Sequence, residues 1–460
     1  MKKHDLQPTD DNIRSTFYND SIGRNKDLVN FIKIIDSIDE SYTIALDSYW
    51  GSGKTFFVKQ VKMILDTVTE DTFCKVEGET EVLSKWVQIS QNLQLKKHVP
   101  IYYNAWQNDS DDDPIYSLIY QMTLDTENIK GLKDKISLSD LLSVAGKITH
   151  AVAGIDPNDM ADSAKKGDFL VKLRERDNID KRIKKYINKL LPKGCDRLLI
   201  IIDELDRCNP EFAVKLLERI KHYFNNDKVT FVFAVNIEEL QHTIKKCYGQ
   251  GFNAKRYLDR FFDLTIKLPK PDMDKYYVSN NIINSTIKAT VEHLDIQMRE
   301  LPKYTRLCNK IEGFNVKKES DKNCNTYDVP EDWYVAPHMN EVILNIVIPY
   351  LLGLKITNED SYNVFFSGNG AEEFIDFLLK GNEDVRDYIE AMFVEENPVK
   401  GVLQEFYNHI IHDYSNQANN ADYENGKYAR QIGKVICTGN EREYIIKIID
   451  RILQNMEDEE

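Results

Sequence analysis

The sequence predicts an α/β protein, with a parallel sheet flanked by helices around a phosphate-binding loop, followed by a mainly α-helical C-terminal domain. Three observations predict it. The apolar run Tyr42–Leu46 feeds the segment Asp47-Ser48-Tyr49-Trp50-Gly51-Ser52-Gly53-Lys54-Thr55-Phe56, and a helix-compatible run follows to Leu65. A second apolar run, Arg197–Ile202, ends in Asp203-Glu204, and a third, Val229–Val235, ends at Asn236. Runs of this length without alternation read as strands buried on both faces, the pattern of a parallel sheet covered by helices.

Each element has its own reason. Ser21-Ile22-Gly23-Arg24-Asn25 precedes an amphipathic pattern from Leu28 to Ile35 and reads either as the turn opening that helix or, by its similarity to an Ile-Gly-Arg segment of related ATPases, as a segment packing against the adenine. In the strand–loop–helix segment, Gly51 and Gly53 let backbone N–H groups curl into an anion nest, and the helix N-terminus adds partial positive charge. Trp50, Gly51, Ser52, Gly53, Lys54, Thr55 and Phe56 are therefore the expected nucleotide-binding residues, and the similarity to related ATPases adds Gly23 and Arg24. Lys54 would reach the β- and γ-phosphates, and Thr55 would ligate Mg²⁺. Ser48 stands where the usual phosphate-loop pattern begins with glycine.

Val99–Tyr103 predicts a second strand, with Asn104 and Trp106 beyond it. Trp106 is expected in the core. Asp109–Asp113 reads as a solvated loop before a helix at Pro114. At the end of the Arg197–Ile202 run, Asp203 would hold the metal shell beside Thr55, and Glu204 would polarise the attacking water. Asp206 and Arg207 either pair locally and cap the helix near Pro210, the favoured reading, or reach the nucleotide or a neighbouring subunit. Asn236 is either a sensor of the γ-phosphate or an N-cap. Arg256 and Arg260, four positions apart, flank the next strand, and Arg260 would stabilise transition-state charge in cis or from a neighbouring copy.

Composition narrows the class. A chain of 460 residues suffices for two or three domains, and a net charge of −15 with pI near 5.2 counts against general nucleic-acid binding. The basic run Lys181–Lys189 is better read as a solvated helix face. Seven cysteines without a C-x-x-C pair fit reduced thiols and a cytoplasmic location. Glu341–Leu354 is apolar but reads as too short to cross a bilayer and as broken by Pro349, and Leu141–Ile155 carries Lys147 and His150. No transmembrane segment is expected.

These motifs together resemble the KAP family of P-loop NTPases. The resemblance rests on Tyr49-Trp50-Gly51-Ser52-Gly53-Lys54-Thr55-Phe56, on Tyr102-Tyr103-Asn104-Ala105-Trp106, on Asp203-Glu204-Leu205-Asp206-Arg207-Cys208-Asn209-Pro210, and on Tyr257-Leu258-Asp259-Arg260-Phe261-Phe262-Asp263 before a Leu-Thr-Ile-Lys-Leu-Pro strand. It covers roughly the first 270 residues. It implies a P-loop NTPase core over residues 15–270 related to the STAND and AAA+ branch, ATP and Mg²⁺ as cofactors, and a helical insertion over 125–191 where many members carry membrane helices. The family pattern has aspartate where Glu204 stands, and the longer side chain favours hydrolysis. The cellular role the family implies is a bacterial multi-protein system such as anti-phage defence.

From 271 to 460 helical periodicity dominates, over 275–299, 340–354, 371–379, 385–394, 403–414 and 444–456. Glu319–Pro330 reads as a polar loop, and His409-x-x-His412 lacks companions for a metal site. This region is expected to dock partner proteins or other copies of the chain. The function expected is an ATP-driven switch; a nucleic-acid-stimulated motor or clamp, and a scaffold that binds nucleotide with little hydrolysis, are the alternatives.

Overall fold

The computed structural model describes residues 7–71, 80–111, 114–127, 181, 184–191, 194–224, 226–314, 335–393, 399–412, 423–424, 427–428 and 430–457. They fall into two compact units, one ending at Lys275 and the other beginning at Tyr276.

In the first unit the strands β1 (Tyr42–Asp47), β2 (His98–Asn104), β3 (Arg197–Asp203), β4 (Val229–Val235) and β5 (Leu264–Lys267) form one parallel sheet in the order β2-β3-β4-β1-β5. Parallel neighbours cannot be joined by a tight turn, so helices carry the chain back. Helices α1 (Asp10–Asn19) and α2 (Asn25–Asp36) precede β1, and α3 (Lys54–Asp71) and α4 (Thr80–Ser90) link β1 to β2. Next come α5 (Pro114–Glu127) after β2, α6 (Pro210–Tyr223) after β3, and α7 (Ile237–Tyr248) with α8 (Ala254–Leu258) after β4.

Strand side chains alternate between two cores. Ile44, Leu46, Leu199, Ile201 and Val232 pack with α2 and α3 residues such as Phe31, Phe57 and Val61. Ile101, Leu198, Ile200, Ile202, Phe231 and Phe233 pack on the opposite face with α5 and α6. Each such side chain contributes about 1.5–3 kcal/mol on burial, which explains why these strands are apolar at consecutive positions. Register then fixes the site: Asp47 lies opposite Val235, Asp203 opposite Ala234, and Asn104 opposite Asp203. The carboxyl ends of β1, β4, β3 and β2 therefore share one edge, where ligands of open α/β sheets gather.

Of the expected insertion, residues 184–190 are helical, with Tyr186, Ile187 and Leu190 buried and Lys184, Lys185 and Lys189 exposed. The Tyr186 hydroxyl donates to the Ile119 carbonyl at 2.9 Å. The basic run thus presents a solvated face on a packed helix. Most of the insertion, Leu141–Ile155 included, lies outside the described residues, as does the Glu319–Pro330 loop.

The second unit is mainly helical. The single helix expected over 275–299 is two, α9 (Met273–Ser279) and α10 (Ser285–His293), because Asn281 adopts a left-handed conformation (φ 54°) and Asp295 (φ 47°) ends the second. Then follow α11 (Leu301–Asn309), α12 (Pro337–Thr357), α13 (Glu359–Phe366), α14 (Ala371–Lys380), α15 (Glu383–Phe393), α16 (Val399–Ile411) and α17 (Glu441–Glu457). Two short antiparallel pairs, including Arg430–Ile432 with Val435–Cys437, have no counterpart in the hydrophobic pattern of the sequence.

Helix α12 corrects the reading of 341–354 as too short and broken. It runs 21 residues, long and apolar enough by length and composition to cross a membrane, and 78% of its most apolar window is buried. Pro349 does not break it because the preceding turn, Ile343–Val347, is π-helical, which widens the ladder where the proline lacks an N–H. Around it sits an aromatic core. Tyr350 stacks on Phe377 (4.6 Å between centroids), and Phe365 meets Phe374 and Tyr407 edge-on at 5.3 and 5.2 Å. The Tyr407 hydroxyl donates to the Phe365 carbonyl and accepts from the Gly370 N–H.

Candidate active site

The loop between β1 and α3 takes the conformation its glycines permit: Gly51 and Gly53 have φ of 80° and 87°, a region costly to residues with a Cβ. Lys54 opens α3 and folds back across the loop, its Nζ donating to the carbonyls of Ser48 (2.6 Å) and Tyr49 (2.9 Å). The side chain is buried, and that burial lowers its pKa against the pull of Asp206, Asp203 and Asp47. The Ser52 hydroxyl is buried in the loop without a hydrogen-bond partner. Phe56, the third residue of α3, is buried.

The second half arrives from β3. Asp203 is 1% exposed and accepts hydrogen bonds from the Tyr102 hydroxyl (2.9 Å) and the Glu204 N–H (2.9 Å), with the Thr55 side chain close enough to favour its charged form. Burial pushes its pKa up to about 6, against the lowering by Thr55 and Tyr102. Thr55 and Asp203, the residues expected to share the metal, do meet. A buried carboxylate whose charge is disfavoured by its surroundings, joined to a hydroxyl, is a donor set that a divalent cation complements. With the unpartnered Ser52 hydroxyl and the glycine nest beside it, these residues fit Mg²⁺ and a polyphosphate.

Glu204 sits beyond the strand in the left-handed region (φ 61°), which turns its side chain back over the edge. Asn104 Nδ2 donates to Glu204 Oε2 at 3.3 Å, and Arg207 Nη1 lies 3.2 Å from Oε1. Asp206 and Arg207 do not pair with each other as expected. Asp206 accepts from the Trp50 indole N–H at 2.5 Å, Arg207 turns to Glu204, and the cap of α6 is the Asn209 side chain. Asp109 accepts from the Asn209 N–H at 3.0 Å.

The remaining expectations separate. Gly23-Arg24 forms the turn into α2, with Arg24 as its N-cap residue. The Arg24 side chain is buried; Nη2 donates to the Pro269 carbonyl at 2.8 Å, and Nη1 comes within 3.1 Å of where a Cβ on Gly53 would stand. Burial lowers its pKa to about 10. Arg24 is thus set against the phosphate loop. Asn236 caps α7, its Oδ1 accepting from the N–H groups of Glu238 and Glu239. Arg260 is exposed on the turn before β5. Because β5 starts opposite Ile44, that turn lies at the amino end of the sheet, away from the loop of its own chain. The cis placement of Arg260 is therefore excluded. Trp106 is not a core anchor: it is 50% exposed.

Sequence reasoning missed two contributors. Tyr102 reaches Asp203 from the neighbouring strand, a contact set by inter-strand register. Asp47, the last residue of β1, accepts from the Ile237 N–H at 2.9 Å and ties the start of α7 to the loop. Its place directly before the loop was the available signal.

Fold and site together define a nucleotide-binding P-loop domain. The chain belongs to the KAP family of P-loop NTPases: the model of the KAP family P-loop domain matches residues 24–328. An uncharacterized protein of Methanocaldococcus jannaschii, MJ0182, is 27% identical over 170 residues, covering 29% of this chain and 88% of that one. Among solved structures, the Aeropyrum pernix ORC2 protein in ADPNP–ADP complexes aligns with TM-score 0.31 and 10% identity over 95% of this chain and 94% of that chain. PCH-2 of C. elegans aligns with TM-score 0.22 and 11% identity over 81% and 69%. At these scores the structural likenesses carry no argument. The five described cysteines, Cys195, Cys208, Cys247, Cys308 and Cys437, are free, and no group of potential metal ligands of the His/Cys/Asp/Glu type occurs among the described residues.

Proposed function

We propose that this chain binds ATP with Mg²⁺ and hydrolyses it, and that the cycle serves as a switch. One observation carries the reading: the Thr55 side chain and the buried Asp203 carboxylate, from distant stretches of the chain, come close enough to interact beside the loop spanned by Lys54. Water attacks the γ-phosphorus as the bond from that phosphorus to the β,γ-bridging oxygen breaks. Glu204 takes the water's proton, and ADP leaves with the bridging oxygen. Lys54 exchanges its loop carbonyls for phosphate oxygens and balances their charge. Thr55 and Asp203 would hold Mg²⁺, which when bound neutralises charge on the phosphates. Asn236 would turn its amide Nδ2 toward the γ-phosphate while Oδ1 keeps the cap. Arg260 would act in trans, from a neighbouring copy.

In this reading the helical unit docks a partner protein or other copies of the chain and passes on the nucleotide state. On family analogy alone, the switch is proposed to act in the bacterial cytoplasm, in a multi-protein system such as anti-phage defence. The test is ATP turnover by purified protein with Mg²⁺, with and without DNA or RNA, alongside calorimetry. Turnover indifferent to nucleic acid supports the switch. Stimulation by nucleic acid would favour a motor or clamp, and binding without turnover a scaffold. No heat from ATP with Mg²⁺ would end the reading.

A further inference from the structure

We infer that Arg207 is a positioning residue for Glu204, and that Trp50, Arg207 and Trp106 form a latch restraining Glu204 until the phosphate loop is loaded. The inference rests on the ATPase reading above and adds its control.

The guanidinium of Arg207 lies against two indoles, 5.9 Å from the ring centroid of Trp50 and 5.5 Å from that of Trp106. Both rings are about half exposed, at 45% and 50%, so neither is accounted for by core packing. A planar cation set against aromatic rings keeps its N–H edge for a carboxylate, and here Nη1 meets Glu204 Oε1 at 3.2 Å. Oε2 is taken by Asn104 at 3.3 Å. A carboxylate with both oxygens committed, one to a cation, is a poor acceptor for a water proton. In this arrangement Glu204 is in place but held.

Three loops meet in the stack, which gives it a trigger. Trp50 belongs to the phosphate loop, Arg207 follows β3, and Trp106 follows β2. The Trp50 indole N–H is bonded to Asp206, the residue before Arg207, at 2.5 Å. A shift of the loop around incoming phosphates is passed by Trp50 to Asp206 and so to Arg207, which frees a Glu204 oxygen when substrate is present.

The test is steady-state ATP turnover by full-length wild type, Arg207→Gln, Arg207→Lys, Trp106→Ala and Trp106→Phe, with tryptophan emission recorded on adding ATP and Mg²⁺. Arg207→Gln should raise kcat about tenfold with KM nearly unchanged, because the ion pair it removes restrains Glu204 in the ground state. Arg207→Lys keeps a cation but not the planar fork, and should fall between wild type and Arg207→Gln. Trp106→Ala should raise kcat about threefold, the worth of one partly exposed cation–π contact, and Trp106→Phe should restore the restraint. The emission change produced by ATP in wild type should be largely absent in Arg207→Gln.

If Arg207→Gln fails to fold, Trp106→Ala decides, since its half-exposed ring is not part of the core. If wild type turns over ATP but neither Arg207→Gln nor Trp106→Ala is faster, the latch is overturned and the ATPase reading stands. If wild type and every variant bind ATP without turnover, hydrolysis and latch fall together. A silent wild type beside an active Arg207→Gln would support the latch most strongly.

Discussion

At the carboxyl edge of the sheet, Arg24, Lys54, Asp203 and Asp206 are all buried, whereas in the helical unit Glu441 is the one buried carboxylate among the described residues. Glu441 accepts from the N–H groups of Thr438 and Gly439, and so it ends a turn. Arg197 shows that a buried charge in the nucleotide unit can also be purely structural. At the opposite end of β3 it donates to the Asp227 and Glu40 carbonyls and to Thr230 Oγ1. The partners make the difference. Burying a charge costs several kcal/mol unless it is matched, and fixed carbonyls match Arg197 and backbone N–H groups match Glu441. At the loop Lys54 and Arg24 also rest on carbonyls, but they do so beside a glycine nest and the buried Asp203 and Asp206, and in the proposed reading Lys54 exchanges those carbonyls for a ligand.

The comparison can be broken at several points. The largest effect is expected from Glu204→Gln, which should lower turnover about 10²–10⁴-fold while ATP still binds; unchanged turnover would remove Glu204 from the water-activating role. Lys54→Ala should cost about 10²–10³-fold in turnover and weaken the binding heat measured by calorimetry. In the helical unit Phe374→Ala should cost about 3–5 kcal/mol by denaturant titration, because it empties the aromatic core beside Tyr350. A loss below about 1 kcal/mol would show that this core repacks freely.

Two smaller effects sharpen the contrast. Tyr102→Phe removes the hydroxyl that Asp203 accepts, and should raise the Mg²⁺ needed for half-maximal turnover about tenfold. Asp36 tests an ordinary structural charge. Burial opposes its ionisation, but bonds from His98 and the Lys96 N–H together hold its pKa below the usual carboxylate value. Its contribution is present above the unfolded pKa and lost as pH falls through the folded one, so Asp36→Asn should be less stable than wild type at pH 7. Thermal melts should show that gap closing below about pH 4.

What was legible in the sequence follows from range. The strand–loop–helix segment and the Asp203-Glu204 strand end are local patterns, and both fold as read. Contacts set by register were not legible: Tyr102 with Asp203, and the crossing of Asp206 to Trp50, depend on which strands lie side by side. Trp106 looked like core because tryptophan usually is, but β2 ends two residues before it and a 3₁₀ turn carries the ring outward. Arg260 was placed by its motif, and only the direction of β5 shows that it faces away from its own loop. In the helical unit the runs over 371–379 and 444–456 fall within α14 and α17, but α11 and α13 have no counterpart among the expected runs, and the left-handed residues Asn281 and Asp295 that divide 275–299 leave no mark on hydrophobic spacing.

Gly23 carries a consequence for how this chain can vary. Its backbone has φ of 68°, and a Cβ there would stand 2.4 Å from that of Asp272, whose N–H is bonded to the Ile22 carbonyl. Position 23 is thus closed twice, once by its own torsion and once by a neighbour far along the chain. Trimming Asp272 to glycine lifts the second barrier and leaves the first. Inherited change at this spot therefore demands a rebuilt turn as well as a smaller neighbour, and single-step drift away from glycine is blocked.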